Sequence, residues 1–355
     1  MDIHEHPYYR EDVERVVSLS LPWEKLQNSS VLISGATGLL GAFLIDVIMW
    51  RNKNVNQKCD VYALSRNMAR AEKRFGYCMA SPFFHFIAYD INQSLKGRVT
   101  DNIDYVLHLA SNTHPMAYAT DPVGTITTNI IGLKNLLDFS VMHDTKRFAF
   151  ASSNEIYGEN RGDQELFDER YCGYIDCNTL RAGYPESKRC GEALCQAYMR
   201  QKKLDVVIPR FTRSYGPTVL ENDTKAISQF IQKAVAGENI VLKSEGNQYY
   251  SYTYMADAIS GLLTILMLGE TGKAYNIADT SSDIRLKDLA AILAEMAGKR
   301  VIFELPNAVE KAGYSKATKA RLDGSELRKL GWNPMYTIQS GLERTVAVLS
   351  DIQEH

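Results

Sequence analysis

Apolar and polar positions alternate between two rhythms along the N-terminal part of this chain. Short apolar runs predict strands at VLISG (31–35), VYALS (61–65), FHFIAYD (84–90), YVLHLAS (105–111), RFAFASS (147–153) and VVIPRF (206–211). Several are continuous rather than alternating, as expected of parallel strands covered on both faces. Helical patterns occupy 39–50, 122–143 and 181–202 between them. Strand and helix in turn predict a doubly wound α/β sheet. After about residue 210 the rhythm changes to loops and shorter helices, with amphipathic periods at 224–238 and 286–299. The sequence has no internal repeat or flexible linker, so the second region is expected to pack directly on the first.

Composition narrows the classes. The chain has 355 residues, 45% hydrophobic and 23% charged, with a formal net charge of −2. That suffices for one large domain or two joined ones, and gives no general attraction to nucleic acid or an anionic membrane. The basic stretch SKATKAR (315–321) reads as a solvated loop. The acidic, polar start MDIHEHPYYREDVERVV does not read as a signal peptide. No apolar run approaches the ~20 residues that span a bilayer; LLGAFLIDVIMW and ISGLLTILMLG read as buried helices. Six cysteines without short-range pairing suggest free thiols in a reducing, cytoplasmic setting. The five-residue steps Cys172/Cys177 and Cys190/Cys195 are not zinc-knuckle spacing, and no metal is expected.

In VLISGATGLLGAFL, Gly35, Gly38 and Gly41 stand between an apolar strand and an apolar helix. Glycines there let the backbone approach a pyrophosphate, and the helix N-terminus supplies free N–H groups for it, so a dinucleotide site is expected. The second strand ends Ser65-Arg66-Asn67, without the acid that usually bonds an NAD ribose. A cation there suits a 2′-phosphate, so NADP is placed slightly ahead of NAD. Asp90, ending the third strand, is a candidate for the adenine amino group. In RAGYPESKR (181–189), Tyr184 and Lys188 stand four apart and share one face of a helix.

With the glycine loop in place, the chain resembles the extended short-chain dehydrogenase/reductase family, in its nucleotide-sugar epimerase, dehydratase and decarboxylase group. The resemblance covers about residues 28–350. It rests on GATGLLG (35–41), HLAS (108–111), TNIIGLKNLL (128–137), SSNEIYG (152–158), YPESK (184–188), PRFTRSYGP (209–217), YSYTYMAD (250–257) and LDGSELRKLGW (322–332). It implies a Rossmann-type sheet with a smaller α/β substrate-binding domain, bound NAD(P), and a nucleotide-diphosphate sugar oxidised transiently at C4. Tyr184 would take the hydroxyl proton, helped by Lys188, which also holds the nicotinamide ribose, while Ser153 bonds the reacting oxygen. Thr37, Leu39, Ile91, Leu109, Ala110 and Ser111 are implied beside the dinucleotide. Asn129 would bond backbone near the site, and His85 would be structural on a core strand.

The fate of the oxidised sugar turns on Ser153-Asn154-Glu155. Dehydratases of the dTDP-glucose type carry Thr-Asp-Glu, where the Asp protonates the leaving hydroxyl. An Asn amide cannot do so. UDP-glucuronate decarboxylases and GDP-mannose dehydratases carry Thr-Ser-Glu, which Ser-Asn-Glu resembles more closely, and RAGYPESKR resembles the decarboxylase pattern Arg-x-Cys-Tyr-x-Glu-Gly-Lys-Arg. Glu155 would act at C5. Epimerisation ranks first, decarboxylation next and 4,6-dehydration third; a simple NADPH-dependent reductase and a non-catalytic dinucleotide-binding protein are the rivals. Arg213 stands where relatives carry a sugar-contacting Asn, and Tyr250 where many carry a pyrophosphate-binding Arg, so Arg213 is expected at the diphosphate. His114 and Asn154 are further candidates for the substrate. The expected division is a helical extension (1–28), an NAD(P)-binding domain (29–210) and a mainly substrate-binding domain (211–355), with part of 248–280 returning to the first. A homodimer through the helices at 122–143 and 181–202 is expected.

Overall fold

The computed structural model describes residues 2–353 apart from 114, 305, 309, 311–313 and 315–317. Its main sheet holds β1 (Ser30–Ser34), β2 (Asp60–Ser65), β3 (Phe84–Ala88), β4 (Tyr105–His108), β5 (Arg147–Phe150), β6 (Ser152–Ser153) and β7 (Val206–Phe211). An eighth strand, β11 (Ala274–Ile277), joins its far edge, giving the order β11-β7-β5-β4-β1-β2-β3, with β6 also paired to β7. All pairings are parallel, and β1, β5 and β7 are almost wholly buried. The continuous apolar runs therefore did signal a sheet covered on both faces. Between β1 and β4 the strand order reverses, which opens a crevice at the carboxyl ends of these two strands.

Two expected elements are interrupted, both beside that crevice. The helix over 122–143 divides into α5 (Pro122–Thr127), a π-helical turn at Thr128–Gly132 and α6 (Leu133–Met142). The strand over 147–153 breaks at Ala151, whose carbonyl turns to the Lys188 ammonium at 2.8 Å. The segment 181–202 forms α7, Gly183–Lys202. His85 lies on β3, the edge strand, half-exposed rather than in the core; its ring stacks on Tyr62 and bonds Asp60 at 2.9 Å.

At Thr212 the chain leaves the main sheet directly into β8 (Arg213–Tyr215), which pairs with β10 (Tyr249–Tyr254) in a second, four-stranded sheet. α8 (Ala226–Val235) and α10 (Leu286–Met296) cover this region. α9 (Met255–Leu268) follows β10 at once and is buried along nearly its whole length. The N-terminal helix α1 (Pro7–Val17) packs on α2 (Leu39–Asn54), on α9 and on the C-terminal helix Ile338–Gln353. There the buried Asp12 accepts bonds from Tyr254 (2.5 Å), Tyr336 (2.6 Å) and Arg344 (2.8 Å). Among the described residues no helix is long and apolar enough to cross a membrane.

Candidate active site

The crevice continues into a cleft of about 860 Å³ between the two sheets. Its floor begins at the glycine loop. Gly35 has a φ of +70°, and a Cβ there would lie 2.7 Å from the Ala110 amide nitrogen. One at Gly41 would lie 2.4 Å from the Gly35 carbonyl oxygen. Side chains at these two positions are excluded by backbone. Gly38 caps α2 without a side-chain hydrogen bond, which leaves the first N–H groups of that helix for an anion. The residues present thus fit a dinucleotide diphosphate.

Thr37, Leu39, Ile91, Leu109 and Ser111 line the same end of the cleft. The Thr37 hydroxyl meets that of Ser65 at 3.0 Å. Exposed Arg66 lies on the rim, and Arg70, one turn along α3 (Met68–Phe75), joins it there. Asp90 also lines the cleft, with one carboxylate oxygen accepting the Asn92 amide at 2.9 Å.

Tyr184 and Lys188 project from the first turns of α7, both buried. Burial pushes the Tyr184 phenol up to about 12, against the pull of the Ser153 hydroxyl. Burial also pushes the Lys188 ammonium down to about 7. Its nitrogen lies 5.9 Å from the Tyr184 ring centre and 4.8 Å from that of Phe150. Ser153 is the strongest of the groups that draw the phenol down, ahead of the Arg181 charge.

Ser153 ends β6 and caps the following 3₁₀ turn by accepting the Glu155 amide at 3.2 Å. Buried Asn154 faces Ser153, its side-chain oxygen 3.5 Å from the hydroxyl. Glu155 is held by Arg181 at 2.6 Å, with both side chains largely buried. The Arg213 guanidinium lies 3.5 Å from the centre of the Tyr250 ring. His114 lies outside the described residues. Every other residue named from the sequence as a catalytic, cofactor-binding or substrate-binding candidate lines this one cleft.

Asn129 acts otherwise than expected. The π-turn directs its side chain inward, where it accepts from Ser111 (2.7 Å) and donates to Ser187 (2.9 Å), both hydroxyls rather than backbone. It thereby ties the loop after β4 to α7. Tyr118 and Arg181 escaped the sequence reading as site residues. Tyr118, on α4 (Pro115–Thr120), packs its ring 4.9 Å from that of Tyr184, and Arg181 lies 4.6 Å from the Tyr118 ring centre. Arg181 stood in the motif, three residues before the tyrosine, but its partner lies 26 residues away. The six cysteines are free thiols, with Cys190 exposed and Cys195 buried on α7.

Comparison with known proteins bears on this geometry. Residues 31–278 match the NAD dependent epimerase/dehydratase family. UDP-glucuronic acid decarboxylase 1 of Danio rerio is 28% identical over 327 residues, 92% of this chain and 73% of that protein. UDP-glucuronic acid decarboxylase 3 of Arabidopsis thaliana is 29% identical over 315 residues, 89% of this chain and 87% of that one. Among solved structures, a dTDP-glucose 4,6-dehydratase from Streptomyces venezuelae with NAD and TYD bound superposes with a TM-score of 0.78 at 23% identity, covering 92% of this chain and 98% of that one. UDP-glucuronic acid 4-epimerase from Bacillus cereus, in complex with UDP-glucuronic acid and NAD, gives 0.78 at 21% identity, covering 91% and 99%. These two share the fold with this chain.

Proposed function

The chain belongs to the NAD dependent epimerase/dehydratase family of nucleotide-sugar-modifying enzymes, and from that premise we propose that it oxidises the sugar of a nucleotide-diphosphate sugar transiently at C4 and then epimerises it. The observation that carries this reading is the convergence of Tyr184, Lys188, Ser153 and Glu155 on the cleft that opens over the glycine loop. Residues 29–210 would hold the dinucleotide and 211–355 mainly the sugar nucleotide. A bound NAD(P) supplies the hydride acceptor, the hydride returned later, and a positive charge beside the phenol.

Tyr184 takes the C4 hydroxyl proton as the hydride leaves, with Ser153 holding the same oxygen. Lys188 orients the cofactor ribose. The resulting C4 ketone acidifies C5–H, and Glu155 accepts that proton while giving up part of its pair with Arg181. Delivery of hydride to the opposite face of C4, or of a proton to the opposite face of C5, gives the epimer. Asn154 has no proton to deliver to a leaving hydroxyl, which sets 4,6-dehydration last. Decarboxylation is the second reading, supported by the decarboxylases among the similar proteins. Arg66 and Arg70, with no acid at the end of β2, favour NADP over NAD in this proposal. It includes a homodimer through α5, α6 and α7, and a cytoplasmic location.

The test is mass spectrometry of the purified protein with UDP-, dTDP-, CDP- and GDP-sugars, with the cofactor released on denaturation identified alongside. An unchanged mass with a new chromatographic peak is expected. Loss of 44 or 18 mass units, for carbon dioxide or water, would transfer the reading to decarboxylase or dehydratase. Glu155→Gln is expected to block exchange of the C5 hydrogen with solvent while reduced cofactor still appears.

A further inference from the structure

Glu155 stands between two spaces. On one side it lines the large cleft, and on the other a smaller recess of about 60 Å³ behind the catalytic turn. Asn154, Arg181 and Arg213 also line both. The chain around the recess keeps it open. Ala182 and Ala320, both buried, carry only a methyl group on its inner side. Gly158 has a φ of +68°, and a Cβ there would lie 2.5 Å from the Tyr174 carbonyl oxygen. That close approach lets the Glu159 amide donate to the same oxygen at 2.9 Å. The Thr179 hydroxyl donates to the Asp176 carbonyl at 3.0 Å. Arg189 braces two of the flanking segments, donating to the Ile156 and Gly173 carbonyls at 2.7 and 2.9 Å. Tyr174 in the outer wall is 63% exposed, so the recess meets solvent there, where Glu159 and Asp176 also stand. A polar space of this size holds about two to four waters. Arg213 Nη1, buried and without a hydrogen-bond partner among the described residues, is a donor of the kind that an ordered water satisfies.

We propose that this recess is a proton exit, a short file of waters that carries to solvent the proton Glu155 takes from C5. The inference rests on the function proposed above and adds a route to it. During turnover the sugar and the cofactor fill the cleft and exclude water from it, so the cleft face of Glu155 is closed while the proton is held. Glu155 takes that proton as the C5–H electron pair passes into the enolate of the C4 ketone. Protonated Glu155 then gives it to the first water of the recess, each water passes one proton on, and hydronium leaves past Asp176 and Glu159. Only O–H bonds form and break along the file. Glu155 is left as the carboxylate that Arg181 holds at 2.6 Å. Run in reverse, the same file protonates Glu155 from solvent. Without it, Glu155 would return to C5 the same hydrogen it took.

The test is turnover in D₂O with UDP-glucose, UDP-glucuronate, dTDP-glucose and GDP-mannose, following reduced cofactor by absorbance and deuterium at C5 by mass spectrometry. Wild-type product is expected to carry deuterium at C5. Thr179→Leu puts apolar bulk into the recess from a position that does not line the cleft. It is expected to slow deuterium entry, relative to cofactor reduction, on the order of 10-fold. Thr179→Val removes the same hydroxyl with little change of volume and is expected to keep the wild-type ratio. Ile175→Trp, which narrows the recess from another of its lining residues, is a second plug should Thr179→Leu fail to fold; dinucleotide binding and the unfolding midpoint show which variants are folded. A wild-type ratio in a folded plug variant would overturn the inference alone, as would wild-type product without deuterium while the cofactor turns over. Equal slowing in Thr179→Val and Thr179→Leu would assign the effect to the lost hydroxyl bond and overturn it too. No cofactor reduction with any of the four sugars would overturn the proposed function, and this inference with it.

Discussion

At the scale of single residues the site depends on how a buried phenol becomes a base. Burial holds Tyr184 at about 12, so its ionised form is the minor species throughout the neutral range. Cofactor charge and the Ser153 hydroxyl both act to increase it. Deprotonated Tyr184 is the reactive form, hence the rate of cofactor reduction is expected to rise with pH from 6 toward 9 and to level only near the phenol's lowered value. Tyr184→Phe should lower kcat by about 10²–10⁴ and abolish that pH dependence, with dinucleotide binding retained by titration. A variant within a few-fold of wild type would remove Tyr184 from the proton transfer. The i to i+4 spacing of Tyr184 and Lys188 was legible because one helix carries both. The Glu155–Arg181 pair was not legible, since it joins one 3₁₀ turn to another, Leu180–Ala182, that precedes α7. Nor was Tyr118, which only the packing of α4 brings to Tyr184.

At the scale of elements, the sequence patterns located strands and helices but missed their interruptions. A period of 3.6 continues through a π-turn with little visible change, yet Thr128–Gly132 shifts the helix enough to send Asn129 inward. Likewise RFAFASS reads as one strand, although the Ala151 carbonyl is directed to Lys188. Both interruptions serve side chains of the cleft, and both were decided by a partner distant in sequence. The outer faces of α5 and the π-turn leave Ile126 and Ile131 exposed, with Val123 the most exposed of this group at 71%. Such a cluster on a helical surface fits the proposed homodimer. Ile126→Glu with Ile131→Glu should sediment as a monomer at concentrations where the parent sediments as a dimer. A variant with unchanged sedimentation would place the contact elsewhere.

At the scale of the whole molecule, the two sheets are held by more than the chain passing between them at Thr212. The buried Asp12 joins α1 to β10, to Tyr336 and to the C-terminal helix. Asp12→Ala would leave the Tyr254 and Tyr336 hydroxyls without their acceptor and Arg344 with Glu11 as its carboxylate partner, and should destabilise the fold by roughly 1–3 kcal/mol. Thermal unfolding would register this as a midpoint lowered by several degrees, and an unchanged midpoint would contradict it. The sequence marked 1–28 as a helical extension but could not reveal this connection, because a lone Asp in an amphipathic helix carries no sign of its partners. The same connection constrains how the protein is made. Arg344 lies 332 residues beyond Asp12, and a ribosome adding about 5–20 residues per second needs roughly 20–60 s to cover that interval. For most of that time the N-terminal helix has a buried-type carboxylate whose partners Tyr254, Tyr336 and Arg344 are not yet made. Final docking of α1 is therefore a late, largely post-translational event, and a nascent chain halted before Tyr336 should present that helix to chaperones or proteases.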